Sequence, residues 1–262
     1  MKYQGSKSRI AKYIVPIIQE CINNNEITEY YEPFVGGGNV IDKIESEKRF
    51  GSDVNRYLIF LLRQVAGGGS LPETISREEY NLVRAAYNSG DTTSYMGWYV
   101  GAVGFLASYN GRWFDGGFAK PGYEKTKNGE RYRDYYQEAK RNLETQAEKL
   151  RGVTFDVKDY SEVIPHNSFV YCDPPYANTK QYANSHDFDF EKFWDYVRQI
   201  SKDNFVLVSE LNAPDDFNCI WTKEVSRSIK ATDKSKATEK LFAYKDGLYM
   251  KYKGVNHDSL QR

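Results

Sequence analysis

Phe169-Val170-Tyr171-Cys172-Asp173-Pro174-Pro175-Tyr176 is the stretch that decides the fold. Its first four residues are an apolar, β-prone run of the kind buried inside a sheet. The two prolines cannot continue that strand, because proline lacks the N–H that the ladder needs, so the chain must turn out of the sheet at Asp173. The turn leaves one carboxylate, one unpaired carbonyl and one aromatic ring at the carboxyl end of a strand, where open α/β sheets bind ligands. A carboxylate beside a carbonyl accepts two hydrogen bonds from one amino group, and a nearby tyrosine ring stacks on the heterocycle carrying it. Asp and Pro also end strands with no further role. The reading of a pocket for an aminated base therefore needs a second feature.

That feature lies upstream, in Glu32-Pro33-Phe34-Val35-Gly36-Gly37-Gly38-Asn39. It follows the β-prone pair Tyr30 and Tyr31 and precedes Val40, Ile41 and Ile44 at helical spacing, a pattern of strand, glycine turn and helix. Gly36 and Gly38 permit positive φ and close approach of a ligand, as in loops that hold nucleotide-like cofactors after a first strand, with Phe34 packing beside the loop. Within Arg49 to Asn55 a second short strand ends in an acid, Asp53, 17 positions after Gly36, where an acid reaches ribose hydroxyls. The same aspartate also suits a simpler role, capping a helix that starts near Asn55.

Between Asp53 and Asp173 lie 119 residues, far more than a βαβ crossover needs, so a segment is inserted there. Glu78 to Tyr87 and Tyr135 to Leu150 read as helices, and Trp98 to Leu106 as a buried helix. The segment from Ser108 to Tyr123 reads as a loop rich in Gly and aromatic residues. Strands resume at Val153 to Phe155, Phe169 to Cys172 and Phe205 to Ser209, and Leu241 to Tyr244 with Leu248 to Tyr252 read as a closing hairpin around Lys245-Asp246-Gly247. The expected architecture is α/β, a mostly parallel sheet with a closing antiparallel hairpin. Residues 1–60 and 151–262 form the sheet domain, and 61–150 a mainly helical insert.

Composition excludes several classes. Cys21, Cys172 and Cys219 form no close pair, so a disulfide scaffold or zinc site is not indicated, and with only three histidines no metal site is expected. No apolar run approaches the roughly 18 residues of a membrane span and the polar N-terminus carries no signal-peptide stretch, which points to the cytoplasm. The 36 basic and 36 acidic residues cancel, but residues 1–13 carry Lys2, Lys7, Arg9 and Lys12 with no acid. Residues 223–240 hold six basic against three acidic residues, and 109–151 ten against seven. This distribution implies modest, salt-sensitive affinity for a polyanion.

Six blocks in fixed order give the chain a family resemblance: Tyr3-Gln4-Gly5-Ser6-Lys7, Glu32 to Gly38, Ser52-Asp53-Val54-Asn55, Tyr109-Asn110-Gly111, Asp173 to Tyr176, and Arg227-Ser228-Ile229 followed by Glu239-Lys240-Leu241-Phe242-Ala243-Tyr244. In this it resembles the Dam-type DNA adenine N6-methyltransferases, the D12 class that uses S-adenosylmethionine. The resemblance implies a Rossmann-like methyltransferase sheet with the insert as target-recognition domain. It implies transfer of a methyl group to the N6 amino group of an adenine flipped out of duplex DNA, with Asp173, Pro174, Pro175 and Tyr176 as catalytic residues. Tyr3, Lys7, Glu32, Pro33, Phe34, Gly36, Gly38, Asp53, Asp159 and Asp173 would bind the cofactor. Duplex DNA would meet Lys7, Arg9, Tyr109, Asn110, Arg112, Trp113, Arg227 and Lys236, on a protein acting as a monomer or as a dimer on DNA. After Tyr109-Asn110-Gly111, the run Arg112 to Phe118 departs from the family pattern that reads GATC. Two rival readings are an RNA guanine-N2 methyltransferase, which shares an Asp-Pro-Pro-aromatic turn but not so long an insert, and a catalytically silent DNA-binding module.

Overall fold

The structure, a computed structural model, describes residues 1, 3, 5–126, 129–176, 188–226 and 236–259. Helix α1 (Ala11–Asn24) buries Ala11, Ile14, Ile18, Cys21 and Ile22, a stripe at three- and four-residue spacing. Strands β1 (Glu29–Glu32) and β2 (Lys48–Asp53) flank the glycine loop in sequence. Asn55 caps helix α2 (Arg56–Ala66), its side chain accepting from the Tyr57 and Leu58 N–H groups at 3.1 and 3.2 Å. Helix α3 (Arg77–Asn88) opens on a capping box between Ser76 and Glu79, and helix α4 (Gly97–Leu106) is buried from Val100 to its end. An antiparallel ribbon, β3 (Gly122–Thr126) with β4 (Gly129–Arg133), precedes helix α5 (Tyr135–Leu150). There follow β5 (Val153–Val157), β6 (Phe169–Cys172), α6 (Phe190–Ile200), β7 (Phe205–Ser209), β8 (Phe217–Ser226), β9 (Lys236–Tyr244) and α7 (Leu248–Ser259). Seven strands make a mostly parallel sheet in the order β5-β2-β1-β6-β7-β9-β8, the α/β architecture expected.

The chain divides into two compact units, residues 1–21 with 35–158, and residues 22–34 with 159–262. In the first, β2 pairs in parallel with β5, Phe50 opposite Thr154 and Asp53 opposite Val157. Helix α2 buries Leu58, Ile59, Leu61, Leu62 and Val65, and α4 lies close against it because glycines face the contact. A Cβ on Gly101 would stand 2.3 Å from the Tyr57 carbonyl oxygen, and one on Gly97 2.3 Å from the Phe60 ring. Gly104 leaves a notch that Trp113 fills.

In the second unit β1, β6 and β7 run parallel, Tyr31 opposite Val170 and Val170 opposite Val206, while β9 is antiparallel to both β7 and β8. Strand β6 is buried at all four positions, as an interior parallel strand must be. Helix α6, capped by Asp189, lays Phe193, Trp194, Val197 and Ile200 against Val170, Cys172, Val206 and Val208. Phe193 is fully buried there, so its truncation to alanine would cost about 3–5 kcal/mol.

Three local expectations are corrected. Val40, Ile41 and Ile44 do not begin a helix; only a single 3-10 turn, Ile41–Lys43, forms, and Ile44 is extended. The Ile41 carbonyl is taken by the Arg49 guanidinium at 3.0 Å, so the apolar spacing reports burial rather than helicity. Leu248 to Tyr252 is helix, not strand: the Leu248 N–H donates to the Ser201 carbonyl at 2.9 Å, the Lys251 N–H returns to Gly247, and the antiparallel partner of Leu241–Tyr244 is β8. The segment from Ser108 to Tyr123 is not wholly loop, since Gly122 and Tyr123 already belong to the ribbon.

Candidate active site

One group of candidate residues is built in the first unit, around the glycine loop. The Val35 N–H donates to the Ser52 carbonyl at 2.9 Å, which ties the loop to β2, and Gly38 N–H closes the turn on Val35 at 2.9 Å. Gly36 and Gly38 have φ of +48° and +64°, a region closed to most side chains, as the glycines predicted. Asp53 ends β2 with Oδ2 accepting from the Gly36 N–H at 3.2 Å and Oδ1 from the Asn55 N–H at 2.9 Å. Burial pushes the Asp53 carboxyl up to about 6, against the pull of those two N–H groups. Asp53 thus braces the loop while Asn55, not Asp53, caps α2.

Tyr3 lies over this loop: a Cβ on Gly36 would meet its ring at 3.0 Å, and one on Gly37 its Cβ at 2.9 Å. The Tyr3 ring also meets Phe105 at a centroid distance of 5.7 Å. Two residues that the sequence reading passed over complete the cradle. Gln146, buried on α5, donates from Nε2 to the Gly37 and Gly38 carbonyls at 3.0 and 2.8 Å. Asn39 holds the Met1 backbone, Nδ2 to the Met1 carbonyl at 3.2 Å, and the Met1 amino group donates in turn to Asn39 Oδ1 and Gln146 Oε1. Only the three- and four-residue spacing of Tyr136, Ala139, Lys140, Leu143, Gln146 and Leu150 on the buried face of α5 could have singled out Gln146. Lys7, in a one-turn 3-10 helix, is buried and so differs from an ordinary surface lysine.

A second group of candidate residues is built in the second unit, where β6 gives way to Asp173-Pro174-Pro175-Tyr176. Tyr176 donates its hydroxyl proton to Glu239 Oε2 on β9 at 2.8 Å. The Tyr171 and Ser209 hydroxyls are bonded at 2.6 Å, linking β6 to β7. Glu32, almost fully buried, accepts from the Tyr30 hydroxyl at 2.6 Å. Burial first, then Asp173 and Glu239, push the Tyr176 phenol far above its usual value, so it stays a neutral donor. Burial, then Asp173 and Glu32, likewise push the Cys172 thiol up, which makes it a strand-packing residue and not a nucleophile. The edge of this sheet is acidic and rich in acceptors, and suits a donor such as an exocyclic amino group.

The remaining candidates divide by surroundings. Phe34 packs on Tyr160, Phe188 and Phe193 at centroid distances of 5.3, 5.9 and 5.7 Å, and Pro33 is buried beside it. Asp159 caps a short turn, accepting from the Ser161 N–H at 3.0 Å. Arg9, Tyr109, Asn110 and Arg112 are exposed. Trp113 is not, being packed among Tyr57, Tyr87, Phe105 and Phe114 at 4.6–5.6 Å. Lys236 opens β9, and Arg227 lies outside the described residues. Among the described residues no group of three or more His, Cys, Asp or Glu is arranged for a metal ion, and no helix is long and apolar enough to cross a membrane.

Residues 3–99 and 109–209 match the family of D12 class N6 adenine-specific DNA methyltransferases. A DNA adenine methylase of Vibrio cholerae is 30% identical over 204 residues, 70% of this chain and 67% of that protein. A type II methyltransferase, M.MjaIII of Methanocaldococcus jannaschii, is 27% identical over 223 residues, 72% and 74% of the two chains, and a DNA adenine methylase of Salmonella typhi is 30% identical over 171 residues, 58% of each. With a match across well over half its length, this chain belongs to the D12 class of N6 adenine-specific DNA methyltransferases, and its substrate is DNA.

Proposed function

We propose that the enzyme methylates the N6 amino group of an adenine swung out of duplex DNA, with S-adenosylmethionine as donor. The observation that carries this reading is the turn at Asp173–Tyr176, which leaves acceptors and an aromatic ring at the carboxyl end of β6 in an acidic, tyrosine-lined setting. Inside a duplex the N6 group is stacked and paired, so it must leave the helix to reach such a pocket. Asp173 and the Pro174 carbonyl would accept the two N6 hydrogens, draw the nitrogen towards tetrahedral geometry and free its lone pair. Pro175 keeps the turn rigid and Tyr176 offers its face to the adenine ring. The positive charge that develops on N6 is stabilised by the Asp173 carboxylate, reinforced by Glu32 and Glu239 nearby. The proton released afterwards passes to Asp173 or to solvent.

S-adenosylmethionine supplies an electrophilic sulfonium methyl when bound. The residues present fit it, because Gly36 and Gly38 at positive φ turn a bare backbone beside Asp53, and Asp53 keeps acceptor capacity beyond its two N–H donors. In this proposal Asp53 takes the ribose hydroxyls, Gly36 and Gly38 give close backbone approach, Tyr3 covers the loop and Lys7 pairs with the carboxylate of the methionine moiety. The family resemblance adds Glu32, Pro33, Phe34, Asp159 and Asp173 as further residues proposed for the donor.

Residues 61–150 are proposed as the target-recognition segment, the enzyme acting as a cytoplasmic monomer on DNA. Arg9, Tyr109, Asn110 and Arg112 are exposed and able to reach DNA, as are Tyr123 and Tyr132, paired on one face of the ribbon and 74% and 56% exposed. Lys7, Trp113, Arg227 and Lys236 complete the proposed interface, Trp113 by supporting the loop from beneath. Sequencing of modified bases in DNA from cells expressing the protein tests the reading. N6-methyladenine in one fixed sequence context is the expected result, and methylcytosine or no modification would refute it.

A further inference from the structure

We infer that Glu239 is a positioning residue for methyl transfer: from β9 it fixes the Tyr176 ring in the orientation that receives the adenine, an inference that rests on the function proposed above. Tyr176 follows two prolines and lies beyond the end of β6. The prolines fix its backbone but not its two side-chain torsions. Its hydroxyl, however, donates to Glu239 Oε2 at 2.8 Å, a charge-assisted bond that ties down the far end of the ring. Glu239 is well placed to serve as the anchor. Two residues along the same strand, Leu241 is fully buried and paired with Ser209 of β7, the strand that also runs beside β6. The ring is thereby held at one end by the Pro174-Pro175 turn and at the other by the sheet.

Stability alone gives little reason for a glutamate here. Glu239 and Asp173 both act electrostatically on Tyr176, so the site gathers like charge around a mostly buried phenol. A phenol hydrogen-bonded to a carboxylate is also more electron-rich, and its face better stabilises a cation developing on a stacked base. Positioning and polarisation both act in the step where N6 becomes positive, so they fall on kcat. The plain alternative is a brace within the β8–β9 hairpin, where Lys223 stands opposite Glu239 in the register.

The test measures steady-state transfer of labelled methyl from S-adenosylmethionine to unmethylated plasmid DNA, with thermal midpoints recorded in parallel. Glu239→Leu and Tyr176→Phe are each expected to lower kcat about tenfold, with the KM for the donor changed less than about twofold. The double variant should be no slower than the worse single one, because both substitutions remove the same bond. Glu239→Gln, whose amide oxygen still accepts, should recover kcat to within about threefold of the unaltered enzyme. Should Glu239→Leu fail to fold, Tyr176→Phe and Glu239→Gln carry the same comparison. Unchanged kcat in Glu239→Leu, multiplicative losses in the double variant, or a lowered thermal midpoint alone would overturn the inference while leaving the proposed function standing. Absence of transfer to DNA by the unaltered protein would instead bring down the proposed function, and the inference with it.

Discussion

At the scale of single residues, Asp53 carries the sharpest chemical consequence. Its carboxyl is raised from 3.8 to about 6 by burial, so the folded protein holds this proton more tightly than the unfolded chain does. The contribution of Asp53 to stability is therefore full below the unfolded value of 3.8 and is lost as pH rises through about 6. Donor binding runs the other way, because the ionised carboxylate is the better acceptor for a pair of hydroxyls. Affinity for S-adenosylmethionine, measured calorimetrically, should thus fall about tenfold per pH unit below pH 6 and level off above it. Asp53→Asn should abolish that pH dependence, and persistence of the profile in the variant would assign it to another group. The positive φ of Gly36 and Gly38 was legible because few other residues adopt it, whereas spacing alone left Asp53 open between a ligand and a capping role, and its bond to the Gly36 N–H appears only in the structure. Glu239 appeared in the sequence only as part of a block of resemblance, since its partner Tyr176 is 63 positions away and no local spacing links them.

Elements carry the next set of consequences. Gln146 reaches from α5 to two successive carbonyls of the glycine loop, so its loss leaves both without their side-chain donor. Gln146→Ala should weaken donor binding about tenfold, in keeping with the roughly 1–3 kcal/mol of an abandoned buried polar group. Unaltered affinity would show that the loop holds its shape without α5. The packing of α4 on α2 makes a separate prediction. A Cβ on Gly101 would strike the Tyr57 carbonyl at 2.3 Å, so Gly101→Ala should cost about 1–3 kcal/mol in denaturant unfolding. A stability change below about 0.5 kcal/mol would mean that the two helices can separate freely. Helices and interior strands were legible in the sequence because burial marks them, periodically along α3 and α5 and continuously along β6 and β7, and all four fall within a residue or two of expectation. The ribbon β3–β4 was missed although Asn128-Gly129 is a hairpin signal. Its residues are mostly exposed, so no alternation of apolar and polar positions marks them. The closing hairpin was placed one element too late because Leu248, Tyr249 and Tyr252 favour a strand by composition, whereas the Gly247 turn launches a helix.

For the whole molecule, balanced charge sets the strength of the encounter with DNA. With 36 basic and 36 acidic residues there is no net attraction to phosphate, and binding depends on local excesses such as the one in residues 1–13. Affinity for duplex DNA should therefore be modest and fall on going from low to moderate salt, as read by fluorescence anisotropy; salt-independent binding would contradict this electrostatic account. The central claim is that Asp173–Tyr176 prepares an adenine amino group for methylation. Transfer of labelled methyl from S-adenosylmethionine, measured side by side on duplex DNA and on RNA with the unaltered enzyme and with Asp173→Ala, tests it most directly. Label at adenine N6 in duplex DNA is the expected result, reduced at least about a hundredfold in the variant. Label confined to RNA, or transfer to DNA that survives in Asp173→Ala, would contradict it.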